Sequence, residues 1–182
     1  GTYTVTLTTT SSEGADTETK AGYIVVTPLV RFTANVVRGV APLAVTFVDR
    51  TDAGGLAISA RTWNVGEGDP IVEGSPTYTY TVPGLYDVTL TVTTTQGDAM
   101  TTRVGFVQVL PVLTTTTEIT SGVGSASVVF TNATDVGNYT EVSWLWNFGD
   151  GTTSTAESPT HTFSTPGVFN VTLTIQTGEG VT

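Results

Sequence analysis

Apolar and polar side chains alternate at period two along the clearest stretches of this chain. In 85–95, Tyr86, Val88, Leu90 and Val92 point one way, while Asp87, Thr89, Thr91 and Thr93 point the other. Phe169, Val171, Leu173 and Ile175 repeat the pattern, as do Tyr3, Val5 and Leu7. Such strands bury one face against a second sheet and leave the other wet. A helical stripe at spacings of three and four appears nowhere, so the chain is expected to be all-β. The pattern predicts strands over 30–37, 43–49, 58–65, 77–82, 85–95 and 99–109, with a short one over 70–73. Turn residues separate them at Asp52-Ala53-Gly54-Gly55, Gly66-Glu67-Gly68-Asp69-Pro70, Pro83-Gly84 and Gln96-Gly97-Asp98. Strands this short, with turns this frequent, describe a small two-sheet sandwich.

The alternating segment recurs at a fixed interval. GTYTVTLT at 1–8, GLYDVTLT at 84–91 and GVFNVTLT at 167–174 lie 83 residues apart (84 − 1 = 83, 167 − 84 = 83). The same register aligns Trp63 with Trp146, Phe47 with Phe130, Pro28 with Pro111 and Ser75-Pro76-Thr77 with Ser158-Pro159-Thr160. Three segments are therefore expected: 1–27, the last two strands of a preceding repeat; 28–111, a complete domain; and 112–182, a domain lacking its final strand. Successive repeats run through Thr27-Pro28-Leu29 or Leu110-Pro111-Val112 with no Gly/Ser spacer, which predicts limited bending. Ends cut inside a repeat are expected of an excerpt from a longer tandem array. A sharper alternative is self-completion, in which the N-terminal strands of one copy close the open domain of the next.

Composition narrows the partners. Charged residues are only 12% of the chain, and threonine (41 of 182 residues) supplies the polarity instead. Threonine is β-branched and suits a pleated, half-wet surface. A net charge of −10 with six Lys+Arg argues against nucleic acid, because six cations cannot form a phosphate-neutralising stripe. No stretch approaches the ~20 apolar residues of a membrane helix, so no membrane insertion is expected of this segment. Cysteine is absent, which removes disulfides and thiolate metal sites.

Chemistry has little material. His161 is the only histidine, and Tyr78 stands at its place in the other repeat, which favours packing or hydrogen bonding over catalysis. The carboxylates Asp135, Glu141, Asp150 and Glu157 fall at predicted turns or strand ends, where acids are common for local reasons. Trp63, Trp146, Phe47 and Phe130 are expected to plug the cores. Asn132, Asn138 and Asn170 open N-x-[ST] sequons and are glycan acceptors if the protein is secreted. Their counterparts Asp49, Gly55 and Asp87 are not asparagine, so glycosylation is no property of the fold.

One block is recognisable as a family signature. Trp146-Asn147-Phe148-Gly149-Asp150-Gly151, then Pro159-Thr160-His161-Thr162-Phe163, then Pro166-Gly167-Val168-Phe169-Asn170-Val171-Thr172-Leu173 resembles the PKD (polycystic kidney disease) domain. The repeat at 28–111 is similar but degraded, with Val65 in place of Phe148 and Glu67 in place of Asp150. The resemblance implies tandem immunoglobulin-like β-sandwiches of about seven strands each, as in prokaryotic cell-surface proteins. It implies no enzyme and no cofactor, apart from calcium at a loop carrying Asp49 and Asp52, where the oxygen ligands are few. It also implies an extracellular structural or interaction protein, part of a surface layer, sheath, filament or stalk, whose partners are neighbouring copies of the repeat or chain. The alternative is an accessory module of a secreted protease or polysaccharide hydrolase. That reading wants an exposed aromatic, and Trp144 is the only candidate.

Overall fold

The computed structural model describes residues 1–119, 124–140 and 142–178. Every regular element among them is a strand. Chain contacts group the residues into two units: Gly1–Val36 with Val45–Tyr78 and Tyr86–Phe106, and Val37–Ala44 with Thr79–Leu85 and Val107–Thr182.

The chain opens with a hairpin of β1 (Thr2–Ser11) and β2 (Gly14–Val25). Threonine hydroxyls face one another across it, Thr6 to Thr19 at 3.2 Å and Thr8 to Thr17 at 3.0 Å. Such cross-strand pairs stabilise a wet sheet face. The first of them recurs one repeat later as Thr89 and Thr102, 2.7 Å apart.

The complete repeat contributes β3 (Phe32–Ala34), β4 (Arg38–Val40), β5 (Leu43–Asp49), β6 (Ile58–Asn64), β7 (Ile71–Val72), β8 (Thr77–Tyr80), β9 (Gly84–Thr94) and β10 (Gly97–Leu110). They form two sheets, ordered β3-β5-β8 and β4-β10-β9-β6-β7. The single strand expected over 30–37 is shorter, β3, and the chain then switches sheets to form β4. β4 pairs in parallel with β10, Arg38 opposite Gln108 and Val40 opposite Leu110. With three residues it is too short to show alternation, and it exists through that long-range pairing.

Along β9 the alternation is strict: Tyr86, Val88, Leu90 and Val92 are buried, whereas Asp87 is exposed and Thr89 and Thr91 are half-buried. Trp63 of β6 lies against Phe32 and Phe47 of the facing sheet, at ring-centroid distances of 5.3 and 5.5 Å. Its indole N–H donates to the carbonyl of Glu73, so the buried polar atom is satisfied.

The next repeat contributes β11 (Thr115–Ile119), β12 (Ala126–Asn132), β13 (Ser143–Asn147), β14 (Thr153–Ser154), β15 (Thr160–Phe163) and β16 (Thr172–Gln176). Its sheets are β11-β12-β15 and β14-β13-β16. Val128, Phe130, Trp146, Phe148 and Phe163 form its core, with Phe169, Val171 and Leu173 packed against them. The Trp146 indole donates to the Glu157 carbonyl. Phe130 N donates to Pro159 O at 2.9 Å, as Phe47 N does to Pro76 O.

Candidate functional site

Three groups of polar side chains stand out, and the two repeats treat each differently. The first is at the Gly149-Asp150-Gly151 turn. Gly149 has φ +78°, and a Cβ there would fall 2.6 Å from the Asn170 carbonyl oxygen. Gly66 repeats this, with φ +93° and the Asp87 carbonyl at 2.9 Å. Glycine is required at both because the turn backs directly onto main chain, β9 at Gly66 and the segment leading into β16 at Gly149. The turn aims Asp150 at β15. Its Oδ2 lies 2.7 Å from His161 Nε2, and its Oδ1 accepts from the Thr152 amide and hydroxyl. The Thr152 hydroxyl first, and His161 next, hold the Asp150 carboxyl at about 2, well below the ordinary 3.8. The His161 ring stacks on Phe148, with centroids 4.0 Å apart and planes 5° from parallel. In the first repeat the same contact is made by Glu67 and Tyr78, where burial and then the Glu67 charge push the phenol up. A carboxylate on the turn meets a ring on the strand in both, and the arrangement clasps turn to sheet.

The second group surrounds Asp49. Its Oδ1 accepts from the Thr51 amide at 2.8 Å, and its Oδ2 lies 2.5 Å from Arg61 Nε. Burial opposes its charge, but Thr51 and Arg61 outweigh that and keep the carboxyl below the ordinary range. Asp52 caps the Gly54 amide instead. A guanidinium already occupies the Asp49 carboxylate and Asp52 turns to a local amide, so this donor set does not fit a calcium ion. In the other repeat, Asn132 and Trp144 replace Asp49 and Arg61. Both charges are gone together, which avoids an unpaired buried ion.

Trp144 is half-buried, and its indole nitrogen is buried with no hydrogen-bond partner among the described residues. Packing therefore covers much of the one side chain that the accessory-module reading would need exposed. Asp135 caps the Gly137 amide, and Glu157 gives its carbonyl to Trp146. Glu141 lies outside the described residues. No group of three or more His, Asp or Glu suited to a metal occurs among the described residues.

The third group joins consecutive repeats and lies wholly within the second unit. Asn138 N donates to Pro83 O at 2.8 Å. The buried Tyr139 hydroxyl reaches Val109 O at 3.1 Å and Gly84 O at 3.4 Å. Gly137 has φ +58°, and a Cβ there would sit 2.2 Å from Pro83 O. One repeat earlier, Gly54 approaches Val26, the counterparts of Gly137 and Val109. This contact was not read from the sequence, although Gly137 aligned with Gly54 was a signal for it.

The sequons sit at working backbone positions. Asn132 is half-buried with its side-chain oxygen on the Thr134 amide, Asn138 is exposed in the junction, and Asn170 is exposed beside Gly149.

A family model for the PKD domain matches residues 27–109 and again 108–182. The chain belongs to the PKD domain family. The chain is 41% identical to collagenase ColA of Bacillus cereus over 61 residues, and 47% identical to a microbial collagenase of Vibrio alginolyticus over 51 residues. Those matches cover 33% and 28% of this chain, and each spans only 6% of the relative's length. Among solved structures, the PKD1 domain of the Vibrio cholerae metalloprotease PrtV aligns at 30% identity with a TM-score of 0.40, covering 46% of this chain and 99% of that one.

Proposed function

We propose that this PKD array is an extracellular, non-catalytic spacer and interaction module, part of a surface layer, sheath, filament or stalk. The observation carrying this reading is the junction. The Gly137–Tyr139 loop of one repeat closes on Pro83, Gly84 and Val109 of the one before, the Asn138 amide donating to Pro83 O and the Tyr139 hydroxyl to Val109 O, with Gly84 O close by. Contacts of that kind let a folded repeat hold its neighbour, which is what an array that sets distance requires. Pro166-Gly167 stands where Pro83-Gly84 stands in the earlier repeat, and lines a shallow cavity of about 220 Å³ with Phe163 and Phe169. A further copy of the repeat is the partner that fits it.

Calorimetry of the chain tests the reading. Coupled repeats unfold in one transition, which Tyr139→Ala splits into two; two independent transitions in the unaltered chain would contradict it. The likeness to two collagenases favours a second reading, an accessory module beside a secreted protease. Retention on insoluble collagen, chitin or cellulose would favour that role.

A further inference from the structure

The chain carries six Lys+Arg against sixteen Asp+Glu, yet three of the six line one groove. Arg31, Arg50 and Arg103 surround a cavity of about 390 Å³, with Val30 and Phe32 as its apolar wall and Thr33 and Thr101 as its hydroxyls. The groove runs where β3, at the edge of one sheet, meets β10 of the other. Arg50 N donates to Arg31 O at 2.8 Å, and the ladder that pairs Phe32 with Asp49 sets Arg31 opposite Arg50. Like charges directly opposed across strands are destabilising. Arg103 closes the third side, its guanidinium 4.0 Å from the Phe106 ring centroid and 5.7 Å from that of Phe32. All three arginines are exposed, and none forms an ion pair with a described carboxylate.

The fold does not require this arrangement. Thr114 and Ala133 occupy the positions of Arg31 and Arg50 in the next repeat, and keep the same hydrogen bond, Ala133 N to Thr114 O at 2.9 Å. The cation over the ring, by contrast, does recur: Lys20 lies 5.2 Å from the Tyr23 centroid at the positions of Arg103 and Phe106. That part belongs to the repeat, and the opposed pair belongs to this groove alone.

We propose that the groove binds the anionic groups, sulfate or carboxylate, of an acidic polysaccharide. Guanidinium forks match such oxyanions in bidentate geometry, and an anion between Arg31 and Arg50 removes their mutual repulsion. The threonine hydroxyls suit sugar hydroxyls, and the apolar wall suits the C–H face of a sugar ring. The site is independent of whether the array serves as a spacer or as an accessory module.

The test uses the full chain with heparin (sulfated) and polygalacturonate (carboxylate only) as probes and neutral cellulose fragments as the control. Binding to at least one acidic polymer is expected, weakening with salt. The double variant Arg31→Thr/Arg50→Ala, which installs the residues of the next repeat, should bind about tenfold more weakly while its thermal midpoint holds or rises. Arg103→Gln should weaken binding as well. Equal binding by the double variant, no binding to either polymer, or equal affinity for polyglutamate would each overturn the assignment.

Discussion

Asp150 on the glycine turn and His161 on β15 meet at 2.7 Å, although they stand eleven positions apart in the chain, and His161 lies flat on Phe148. The pair ties a surface turn to a strand over the core, so its ionisation has a stability consequence. A carboxyl with a lowered folded pKa stabilises the fold above its unfolded value, and that contribution fades as pH falls through the folded value. For Asp150 the window runs from 3.8 down to about 2. Thermal melts should therefore lose stability across it, and Asp150→Asn should give a flatter profile there. Identical profiles for the two proteins would remove Asp150 from the clasp.

The charge swap at Asp49 and Arg61 calls for a double-mutant cycle. Arg61→Trp alone leaves the part-buried Asp49 carboxylate without its guanidinium and should cost about 1–3 kcal/mol. Asp49→Asn with Arg61→Trp, the pairing of the next repeat, should recover much of that loss. Additive single effects in urea unfolding would show that the two positions are uncoupled.

Truncating either central tryptophan should be severe. Trp63 is fully buried and Trp146 nearly so, and each hydrogen-bonds a loop carbonyl. Trp63→Ala or Trp146→Ala is expected to cost ~3–5 kcal/mol. Denaturant unfolding followed by fluorescence measures it, and a loss below about 1 kcal/mol would show that the core re-closes.

Much of the fold was legible because its signals are local. The alternation of 84–94 reports a strand between core and solvent, and paired glycines at 66 and 149 report tight turns that press on neighbouring main chain. What stayed hidden depends on residues far apart in sequence. β4 is specified by its pairing with β10, and the Arg31–Arg50 opposition by a register that alternation alone does not give. Tyr139 sits in a sequon and reads as a surface residue, yet it is buried by the preceding repeat's Gly84 and Val109. Trp144 lies outside the core pattern, yet packing leaves it half-buried as well.

The junction makes separate predictions at two positions. Tyr139→Phe loses the hydroxyl but keeps the ring, and should cost about 0.5–1.5 kcal/mol in calorimetry. Gly137→Ala combines a left-handed backbone, worth about 1–2 kcal/mol, with a collision against Pro83. It should be the more damaging of the two, and a neutral Gly137→Ala would mean that the loop does not seat there.

The absence of native cysteine permits a direct measurement of the central claim, that one repeat holds the next. Spin labels at Val40→Cys and Val168→Cys, both exposed positions, report the distance between the repeats by pulsed electron resonance. A narrow distribution that broadens when Tyr139→Ala is added is the predicted result. A broad distribution already present in the unaltered junction, and insensitive to Tyr139, would contradict it.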